Sequence, residues 1–396
     1  MTLDPRTLEA IRLDTPASCH RVHLDNAGSS LMPKPVAETL MSHLEHELAK
    51  GGYVAAEDAA ERHAAAYGTL ARLLGARDDE IALQPSATEA WGRLFYSLPL
   101  EPGDRVITAF NEYCANFVSM LHRARRDGIA IDVIDPATDG DLDLDALQAR
   151  IGPRTRLIAI SHVPSSSGQI NPVAAVGAIA RSAGVPFLLD ACQSVGQLPV
   201  DVDAIGCDML TGTARKFLRG PRGVGFLYVR REMLERLDPV MLTNQAAEWT
   251  ASRAYRLRDD ARVFEAWESN VAGELALAVA VDYLLDLGVD AVSERALTLA
   301  AAVRDGLAAI DGVTVRDPGR TLSAIVSFTA AGRDAAWIKA ELARHDIAVQ
   351  VASVTHTRLD LEARGIDTAV RVSPHYYNTE AEIDRFLAVL GDLLAG

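Results

Sequence analysis

Cysteine and basic residues are scarce in this chain of 396 residues. The four cysteines are Cys19, Cys114, Cys192 and Cys207, and their spacing forms neither a C-x-x-C pair nor a zinc-binding pattern. A disulfide scaffold and a zinc site are therefore not expected. Lys and Arg number 39 against 54 Asp and Glu, which gives a formal net charge of −15. Because sequence-independent binding to nucleic acid or to an anionic membrane depends on clustered Lys and Arg, we expect neither partner.

Long apolar segments are also missing. The most apolar stretch, residues 271–287, contains Glu274 and Asp282, so it predicts a buried helix rather than a membrane span. The N-terminal sequence MTLDPRTLEAIRLD has acidic residues and no apolar core, which predicts no signal peptide. With 49% hydrophobic residues, the chain is typical of a folded protein of about two or three domains, and we expect a cytoplasmic location.

Short apolar runs alternate with helix-patterned segments in the first part of the chain. The predicted strands are residues 81–83, 105–109, 129–134, 157–161, 185–190, 209–211 and 225–229, and the predicted helices are residues 87–98, 114–127, 144–150 and 173–183. This alternation predicts an α/β fold with a mainly parallel sheet that is covered on both faces. Further along, helices at 273–287, 290–310, 335–344 and 380–394 are mixed with short strands at 313–316, 324–328, 347–351 and 370–373, which predicts a smaller α+β C-terminal domain.

Ligands of open α/β sheets bind at the carboxyl ends of the strands, so the residues at these ends are the candidates for binding and catalysis. The segment Gln84-Pro-Ser-Ala-Thr-Glu89 joins a predicted strand to a predicted helix. Ser or Thr at such a junction caps the helix, and the free N–H groups with the helix dipole can bind an anion such as phosphate. A plain helix cap without a ligand is the alternative interpretation.

Two further strand ends carry charged residues. Asp190 ends the apolar run VPFLLD, where a carboxylate is costly unless it meets a cation or caps the next loop. Thr213, Arg215 and Lys216 lie between a strand and a Gly/Pro-rich loop that precedes the next strand. A buried lysine in that place is suited to Schiff-base chemistry, whereas on a surface the segment would be an ordinary basic loop.

Together the three strand ends match the needs of pyridoxal 5′-phosphate (PLP). This cofactor requires an anion site for its phosphate, a carboxylate for its pyridinium nitrogen and a lysine for its aldehyde. The combination of Ser86-Ala-Thr-Glu89, Asp190-Ala-Cys-Gln193 and Lys216 resembles the class V aminotransferase family, which includes the cysteine desulfurases and has the fold-type I architecture of PLP enzymes. The resemblance runs from His23-Leu-Asp-Asn-Ala-Gly28 to Arg371-Val-Ser-Pro-His-Tyr-Tyr-Asn-Thr379.

The resemblance implies an architecture. It implies a large PLP-binding domain at residues 21–270 with a mainly parallel seven-stranded sheet, a small α+β domain at 271–396, and an N-terminal segment at 1–20 that packs on the small domain. Residues 264–270 match a segment that in the family reaches into the neighbouring subunit's site. A homodimer with shared active sites is therefore implied.

The resemblance also implies roles for individual residues. Lys216 would hold the cofactor covalently and act as base at the substrate Cα, Asp190 would pair with the pyridinium nitrogen, and Tyr113 would stack on the ring where the family has a histidine. Other cofactor contacts would come from Gln193 and Ser165 at the ring oxygen, from Ala87, Thr88, Thr213 and Arg215 at the phosphate, and from Asn270. The small amino-acid substrate would be bound by Arg371, which clamps its carboxylate, and by Gly28, Tyr53 and Asn116.

One departure from the family changes the expected reaction. Cysteine desulfurases carry a reactive cysteine on the loop before the carboxylate-binding arginine, but residues 348–370 contain no cysteine. The stretches Gly51-Gly-Tyr-Val-Ala-Ala-Glu57 and Ala214–Gly225 are similar to the hercynylcysteine sulfoxide lyases, which cleave a carbon–sulfur bond by β-elimination. We therefore expect a PLP-dependent carbon–sulfur lyase that acts on a cysteine-derived conjugate or sulfoxide and yields a sulfur product, pyruvate and ammonia.

Two alternatives stay open. The same cofactor and residues would serve an aminotransferase or an amino-acid epimerase or racemase. A non-catalytic protein with the PLP fold is the other alternative, against which Lys216, Asp190 and Arg371 argue. No metal site is expected, since His43 and His46 on a predicted helix do not form the H-E-x-x-H pattern.

Overall fold

A computed structural model describes residues 3–395. The N-terminal part contains α1 (Pro5–Leu13), β1 (Val22–His23), α2 (Lys34–Lys50), α3 (Gly52–Asp58) and α4 (Ala60–Leu74). The middle part contains β2 (Ile81–Gln84), α5 (Ala87–Tyr96), β3 (Arg105–Ala109), α6 (Cys114–Asp127), β4 (Ala130–Ile134), α7 (Leu144–Arg150), β5 (Thr155–Ser161), α8 (Val173–Ala183), β6 (Phe187–Asp190), α9 (Val202–Ile205), β7 (Met209–Thr213), β8 (Gly225–Val229), α10 (Arg231–Leu234), β9 (Ala247–Ala251) and β10 (Ala254–Leu257). The C-terminal part contains α11 (Val271–Leu287), α12 (Val289–Ala308), β11 (Val313–Val315), β12 (Val326–Ala330), α13 (Ala335–Arg344), β13 (Ile347–Ala348), β14 (Gln350–Ser353), α14 (Arg358–Ala363), β15 (Thr368–Val372) and α15 (Glu380–Ala395).

The large sheet has seven strands in the order β2-β8-β7-β6-β5-β3-β4. Its strands are parallel except β8, which runs antiparallel to both β7 and β2. The expected mainly parallel α/β fold is confirmed. The strands β2, β3, β5, β6 and β7 therefore share one direction, and their carboxyl ends meet at one edge of the sheet.

Both faces of this sheet are buried, as the continuous apolar runs predict. Alternate residues of one strand point to opposite faces, so Leu189 of β6 joins one apolar cluster and its neighbour Leu188 joins another. The first cluster packs under α4, α8 and α11, and the second under α5 and α6. Rigid packing on both sides holds the strand ends, and hence the loops that follow them, in fixed positions.

The C-terminal part forms a second, antiparallel sheet in the order β11-β12-β15-β14. Its apolar face packs against α12, α13 and α15 in a core that includes Val303, Phe328, Leu342 and Phe386. This combination of an antiparallel sheet with helices agrees with the α+β architecture predicted for the C-terminal part. The boundaries at residues 20 and 270 stay predictions.

The N-terminal segment contacts the C-terminal part. Strand β1 pairs in parallel with β13, with Val22 opposite Ile347. The Arg12 guanidinium lies 2.8 Å from Glu382 Oε1 and also donates to the carbonyl of Tyr377. The same segment also touches the large domain, because Ile11 belongs to the cluster beneath the large sheet.

Residues 347–351, predicted as one strand, form two pairings instead. Ile347 and Ala348 pair with β1, whereas Gln350 to Ser353 pair with β15, so the chain changes partner at Val349. A single apolar run carries no signal of such a change.

In the part of the chain that the structure describes, none of the helices has the length and apolar character needed to cross a bilayer.

Candidate active site

A pocket lies at the edge of the large sheet where the carboxyl ends of five strands meet. Its lining comes from the segments that follow β2, β3, β5, β6 and β7, namely Ser86, Ala87, Thr88, Tyr113, Ser161, Val163, Ser165, Asp190, Cys192, Gln193, Thr213, Arg215 and Lys216. The place agrees with the rule for open α/β sheets that guided the sequence search.

The structure brings nine of the fourteen predicted site residues together in this pocket. They are Ala87, Thr88, Tyr113, Ser165, Asp190, Gln193, Thr213, Arg215 and Lys216. The other five, Gly28, Tyr53, Asn116, Asn270 and Arg371, do not line it. The roles of all fourteen stay predictions, but their positions are described below.

The N-terminus of α5 forms one wall of the pocket. The Ser86 hydroxyl accepts a hydrogen bond from Glu89 N at 3.1 Å and so caps the helix, while the first N–H groups at Ala87 and Thr88 have no helical partner. Strand β8 passes very close, because a Cβ on Gly225 would lie 2.7 Å from the carbonyl carbon of Ser86. With Thr213 and Arg215 opposite, this corner is suited to a phosphate.

Asp190 ends β6 and is 7% exposed. Its Oδ2 accepts a hydrogen bond from Asn116 Nδ2 at 2.8 Å, and its Oδ1 accepts one from Cys192 N at 2.9 Å. Two donors therefore fix the plane of the carboxylate at the pocket wall. A protonated ring nitrogen placed against it would supply the missing cation.

Lys216 follows β7 and is 8% exposed. Burial lowers the pKa of its ammonium, and the positive charges of Arg215 and Arg371 lower it further, against the opposite influence of Asp190. The Nζ atom lies 5.9 Å from the centre of the Tyr113 ring, so the amine and a possible stacking surface share the same space. A lowered pKa favours the neutral amine, the form that attacks an aldehyde.

Arg371, on β15, lies behind the pocket and is held by two partners. Its Nη1 donates to the carbonyl of Ser165 at 2.9 Å, and its Nη2 lies 3.1 Å from Asp25 Oδ1. Gln350 Nε2 donates to the other oxygen of Asp25 at 3.3 Å. These contacts fix the orientation of the guanidinium before a substrate binds, and its Nε has no hydrogen-bond partner among residues 3–395.

Several buried polar atoms around the pocket lack a partner among residues 3–395. They include Gln193 Oε1, Ser165 Oγ and Arg371 Nε. Because buried polar groups are nearly always hydrogen-bonded, such atoms at one place point to a ligand. An anion corner, a buried carboxylate, a buried amine and unpaired donors and acceptors together fit PLP and an amino-acid carboxylate.

Two residues that are predicted to bind the substrate, Asn116 and Gly28, contact other residues of the protein in the structure. The Asn116 amide faces Asp190 rather than the pocket, so its predicted contact with substrate is not supported by this geometry. The carbonyl of Gly28 accepts a hydrogen bond from the guanidinium of Arg215, a residue that also lines the pocket. A Cβ on Gly28 would lie 2.5 Å from Asp25 Oδ1, so a larger residue here would have to displace the Asp25 carboxylate.

Tyr53 and Asn270 lie outside the pocket of their own chain. Tyr53 is on α3 and is 78% exposed. Asn270 caps α11, with its Oδ1 accepting a hydrogen bond from Gly273 N at 3.0 Å. Neither lines the pocket of the chain that carries it.

Sequence reasoning missed Glu112, which is 3% exposed beneath the pocket. Burial and the negative charge of Asp190 raise the pKa of its carboxyl to about 7. Glu112 lies three residues after the end of β3, at the same edge of the sheet as Asp190, the last residue of β6, and this position after a strand is a signal visible in the sequence. It was overlooked because an acid next to a loop is ordinarily solvated.

The cysteines offer no ready thiolate to the pocket. Cys192 lines it, but burial and the charge of Asp190 raise the pKa of this thiol well above its ordinary value. Cys114 is half-buried at the start of α6, Cys19 is exposed, and Cys207 is buried away from the pocket. A protonated thiol is a poor nucleophile.

Comparison with known proteins gives one consistent family. The sequence model described as "Aminotransferase class-V" matches residues 22–386. A probable cysteine desulfurase of Xylella fastidiosa is 31% identical over 394 residues, which cover 96% of this chain and 94% of the relative. A cysteine desulfurase of Cronobacter sakazakii is 31% identical over 408 residues, 97% of each chain.

Solved structures agree with the fold. The apo cysteine desulfurase of Thermococcus onnurineus superposes with a TM-score of 0.91 at 27% identity, covering 98% of each chain. A cystine C–S lyase in complex with its product, cysteine persulfide, superposes with a TM-score of 0.86 and covers 96% of this chain and 99% of that chain. At 21% identity the second likeness concerns the fold alone. The fold-type I architecture is confirmed.

Proposed function

The chain belongs to the class V aminotransferase family, and we propose that it is a PLP-dependent carbon–sulfur lyase. The substrate would be a cysteine-derived conjugate or sulfoxide. The observation that carries this proposal is a pocket lined by Lys216 and Asp190, with Arg371 held against the pocket residue Ser165, in which the only lining cysteine among residues 3–395, Cys192, has a pKa raised by burial. Such a pocket suits elimination of sulfur better than attack on sulfur.

The residues present would hold the cofactor in a defined orientation. The N-terminus of α5 with Thr88 and Thr213 would receive the phosphate, Tyr113 would stack on the ring, and Asp190 would meet the ring nitrogen. When bound, PLP supplies an electron sink for the charge that develops at the substrate Cα. Gln193 Oε1 and Ser165 Oγ, both unpaired among the described residues, would face the ring oxygen.

The protein side of the reaction follows from the same geometry. Arg371 would bind the substrate carboxylate in a bidentate manner, because Asp25 and Ser165 already fix its guanidinium. Lys216 Nζ, whose lowered pKa favours the neutral amine, would take the proton from Cα. The Cβ–S bond then breaks, the electron pair leaves with sulfur, and hydrolysis of the released three-carbon enamine gives pyruvate and ammonia.

The names of the relatives support sulfur at Cβ and raise a second candidate. Cysteine desulfurases act on cysteine, and several relatives at about this identity carry that name. A thiolate nucleophile is needed to accept sulfur in that case, and residues 348–370 contain no cysteine. Desulfuration of cysteine is therefore the second candidate, with alanine rather than pyruvate as its organic product.

The finer assignment concerns the group on sulfur. The Gly51-Gly-Tyr53 and Ala214–Gly225 stretches support a substrate of the hercynylcysteine sulfoxide type. A sulfenate or stabilised thiolate is a good leaving group, so the pocket needs no strong general acid beside sulfur. An aminotransferase and an amino-acid epimerase or racemase are the other reactions that the same residues could serve.

A substrate panel separates these reactions. The purified enzyme loaded with PLP is incubated with cysteine, S-substituted cysteines and their sulfoxides, hercynylcysteine sulfoxide included, and pyruvate, ammonia, alanine, keto acids and D-isomers are measured. We expect pyruvate and ammonia in equal amounts from the sulfoxides. Lys216→Ala should abolish them, while Lys34→Ala, a change of an exposed lysine, should not. Alanine, a substrate-derived keto acid or a D-isomer as the main product would overturn the lyase proposal.

We also propose that the functional unit is a homodimer with shared sites. Exposed apolar side chains on α2 and α3, including Met41, Leu44, Leu48 and Tyr53, support a covered surface there. The positions of Tyr53 and Asn270, outside their own pocket, support a contribution to a neighbouring one. A cytoplasmic location stays a prediction of the sequence.

A further inference from the structure

Two buried carboxyl groups share one amide beneath the pocket. Asn116 Nδ2 donates to Asp190 Oδ2 at 2.8 Å and to Glu112 Oε1 at 2.9 Å. Asn116 is 3% exposed and Glu112 is 3% exposed, so water has little access to this bridge. The amide cannot move away from one carboxylate without losing its contact with the other.

The surroundings of Glu112 are built for an ionised carboxylate. Oε1 accepts hydrogen bonds from Tyr113 N at 2.8 Å and Ser161 Oγ at 2.5 Å as well as from Asn116. Oε2 accepts from Ser161 N and from Thr108 Oγ1, each at 3.1 Å. Each oxygen faces a backbone N–H that can only donate, and therefore an amide side chain in this place would leave one N–H opposite another donor.

The charges around this pair come from several elements. The negative charge of Asp190 influences the pKa of Glu112, of Tyr113 at the start of α6, of Cys192 after β6 and of Lys216 after β7, and the positive charges of Arg215 after β7 and Arg371 on β15 also influence Lys216. Arg215 and Lys216 line the pocket together with Asp190. Glu112 itself contacts hydrogen-bond donors but makes no ion pair with a described residue.

We propose that Glu112 is a positioning residue that acts on the cofactor through Asn116 and Asp190. It holds the Asn116 amide against Asp190 and adds a second negative charge behind that carboxylate. Together the two carboxylates keep a proton on the ring nitrogen of the bound cofactor. This inference rests on the proposed binding of PLP.

The pKa of Glu112 is consistent with this positioning role. Burial and the negative charge of Asp190 both disfavour ionisation and raise the pKa of the Glu112 carboxyl to about 7. A pyridinium ring next to Asp190 supplies an opposite charge nearby, which lowers the pKa of Glu112. Binding of the cofactor would therefore favour the ionised form of Glu112.

The first test compares Glu112→Gln with a matched control. The control is Glu80→Gln, which also replaces a buried carboxyl group. The two oxygens of Glu80 accept hydrogen bonds from the backbone N–H groups of Arg77 at 3.1 Å and Arg231 at 3.0 Å. Glu80 is 8% exposed and precedes β2, at the end of that strand away from the pocket. Both variants should lose thermal stability, because each leaves a backbone N–H without its acceptor.

Only Glu112→Gln should change the bound cofactor. The absorbance band that depends on Lys216 is titrated with pH in wild type and in both variants. Loss of a negative charge near the cofactor's cationic groups should move the midpoint to lower pH by at least about half a unit in Glu112→Gln. The midpoint in Glu80→Gln should stay at the wild-type value. Coincident midpoints in all three proteins would show that Glu112 is merely structural and would overturn the inference.

A cofactor analogue sharpens the distinction. Apo-proteins are titrated with PLP and with the analogue in which carbon replaces the ring nitrogen. We expect Glu112→Gln to weaken binding of PLP by about tenfold, one unit of pKa, and to leave the affinity for the carbon analogue unchanged or improved. Equal losses for both compounds would contradict the inference. If wild type itself shows no Lys216-dependent band with PLP, the proposed function fails instead, and the two failures are thus distinguishable.

Discussion

At the scale of single residues, the site depends on charges that are kept out of water. The Lys216 ammonium loses its proton more readily than that of an exposed lysine, because burial and the positive charges of two arginines lower its pKa. Asp190 and Glu112 are close enough to share an amide, and Arg371 is paired with Asp25 before any substrate arrives. Each of these groups therefore responds to a change in its neighbour's charge, which makes charge-only substitutions informative.

Replacing Arg215 by Gln should raise the pKa of Lys216. After burial, Arg215 is one of the two positive charges that lower this pKa, so its removal lets the ammonium persist to higher pH. Amine reagents attack only the neutral amine, and hence labelling of Lys216 in the apo-enzyme, followed by mass spectrometry against pH, should require a higher pH in Arg215→Gln. Arg215→Lys keeps the charge and should restore the wild-type profile. Arg222→Gln, on an exposed part of the same loop, should leave the profile unchanged, and an equal shift there would contradict the explanation.

Replacing Asp25 by Asn should weaken substrate binding more than turnover. Asp25 Oδ1 lies 3.1 Å from Arg371 Nη2, and the other oxygen of Asp25 accepts a hydrogen bond from Gln350. Asparagine has nearly the same shape as aspartate, so the variant keeps the geometry of the contact with Arg371 but loses the negative charge. A less well oriented guanidinium loses contact with the substrate carboxylate in ground state and transition state alike, which raises KM by about tenfold and leaves kcat near wild type. Steady-state kinetics with a sulfoxide substrate measure both. A fall in kcat at unchanged KM would place Asp25 in the chemical step instead.

At the scale of elements, five strand ends and one helix N-terminus create the pocket. The order of the strands brings Ser86, Tyr113, Ser161, Asp190 and Thr213 to one edge although they are far apart in sequence. The helix α5 can approach this edge because β8 carries glycine where it passes Ser86. The anion corner is therefore a property of the packing between a strand and a helix.

A methyl group at Gly225 should damage the anion corner. In Gly225→Ala the new Cβ would lie 2.7 Å from the Ser86 carbonyl carbon and 2.8 Å from Ala87 N, and must push the start of α5 away from Thr213. We expect the affinity of the apo-protein for PLP and for inorganic phosphate to fall by about tenfold or more, with far-UV circular dichroism unchanged. Gly68→Ala on α4, where a Cβ meets nothing within 4 Å, is the control and should bind as wild type does. Normal phosphate binding by Gly225→Ala would remove α5 from the site.

The sequence alone predicted much of this arrangement, and the exceptions have physical reasons. Strand ends could be found because continuous apolar runs stop at polar residues such as Asp190, and the three segments around Ser86, Asp190 and Lys216 converge as expected. The change of partner within residues 347–351 left no trace, since pairing depends on chain segments distant in sequence. The substrate role of Asn116 was implied by the resemblance and stays a prediction, while in the structure its amide donates to Asp190. Glu112 escaped notice because burial, not residue type, gives it an unusual pKa.

At the scale of the whole molecule, one chain holds an incomplete set of the predicted site residues. The pocket contains the lysine, the carboxylate and the anion corner, whereas Tyr53 on α3 and Asn270 before α11 lie elsewhere on the surface. Apolar side chains near Tyr53, among them Leu48 at 90% exposure, are costly to leave in water. A two-fold symmetric pairing would cover them and bring each exposed residue to the partner's pocket.

This arrangement predicts complementation between two inactive variants. Lys216→Ala removes the base from its own pocket, and Tyr53→Ala removes a residue that would serve the pocket of the partner subunit. When the two proteins are mixed and allowed to exchange subunits, half of the dimers are mixed, and each mixed dimer has one pocket with an intact Lys216 and an intact Tyr53. Activity should therefore return to about a quarter of the wild-type value, as random pairing in a symmetric dimer requires. Each variant incubated alone is the control and should stay inactive, with the dimer itself measured by sedimentation. If the mixed dimers form but remain inactive, Tyr53 acts within its own chain or not at all, and the shared site is refuted.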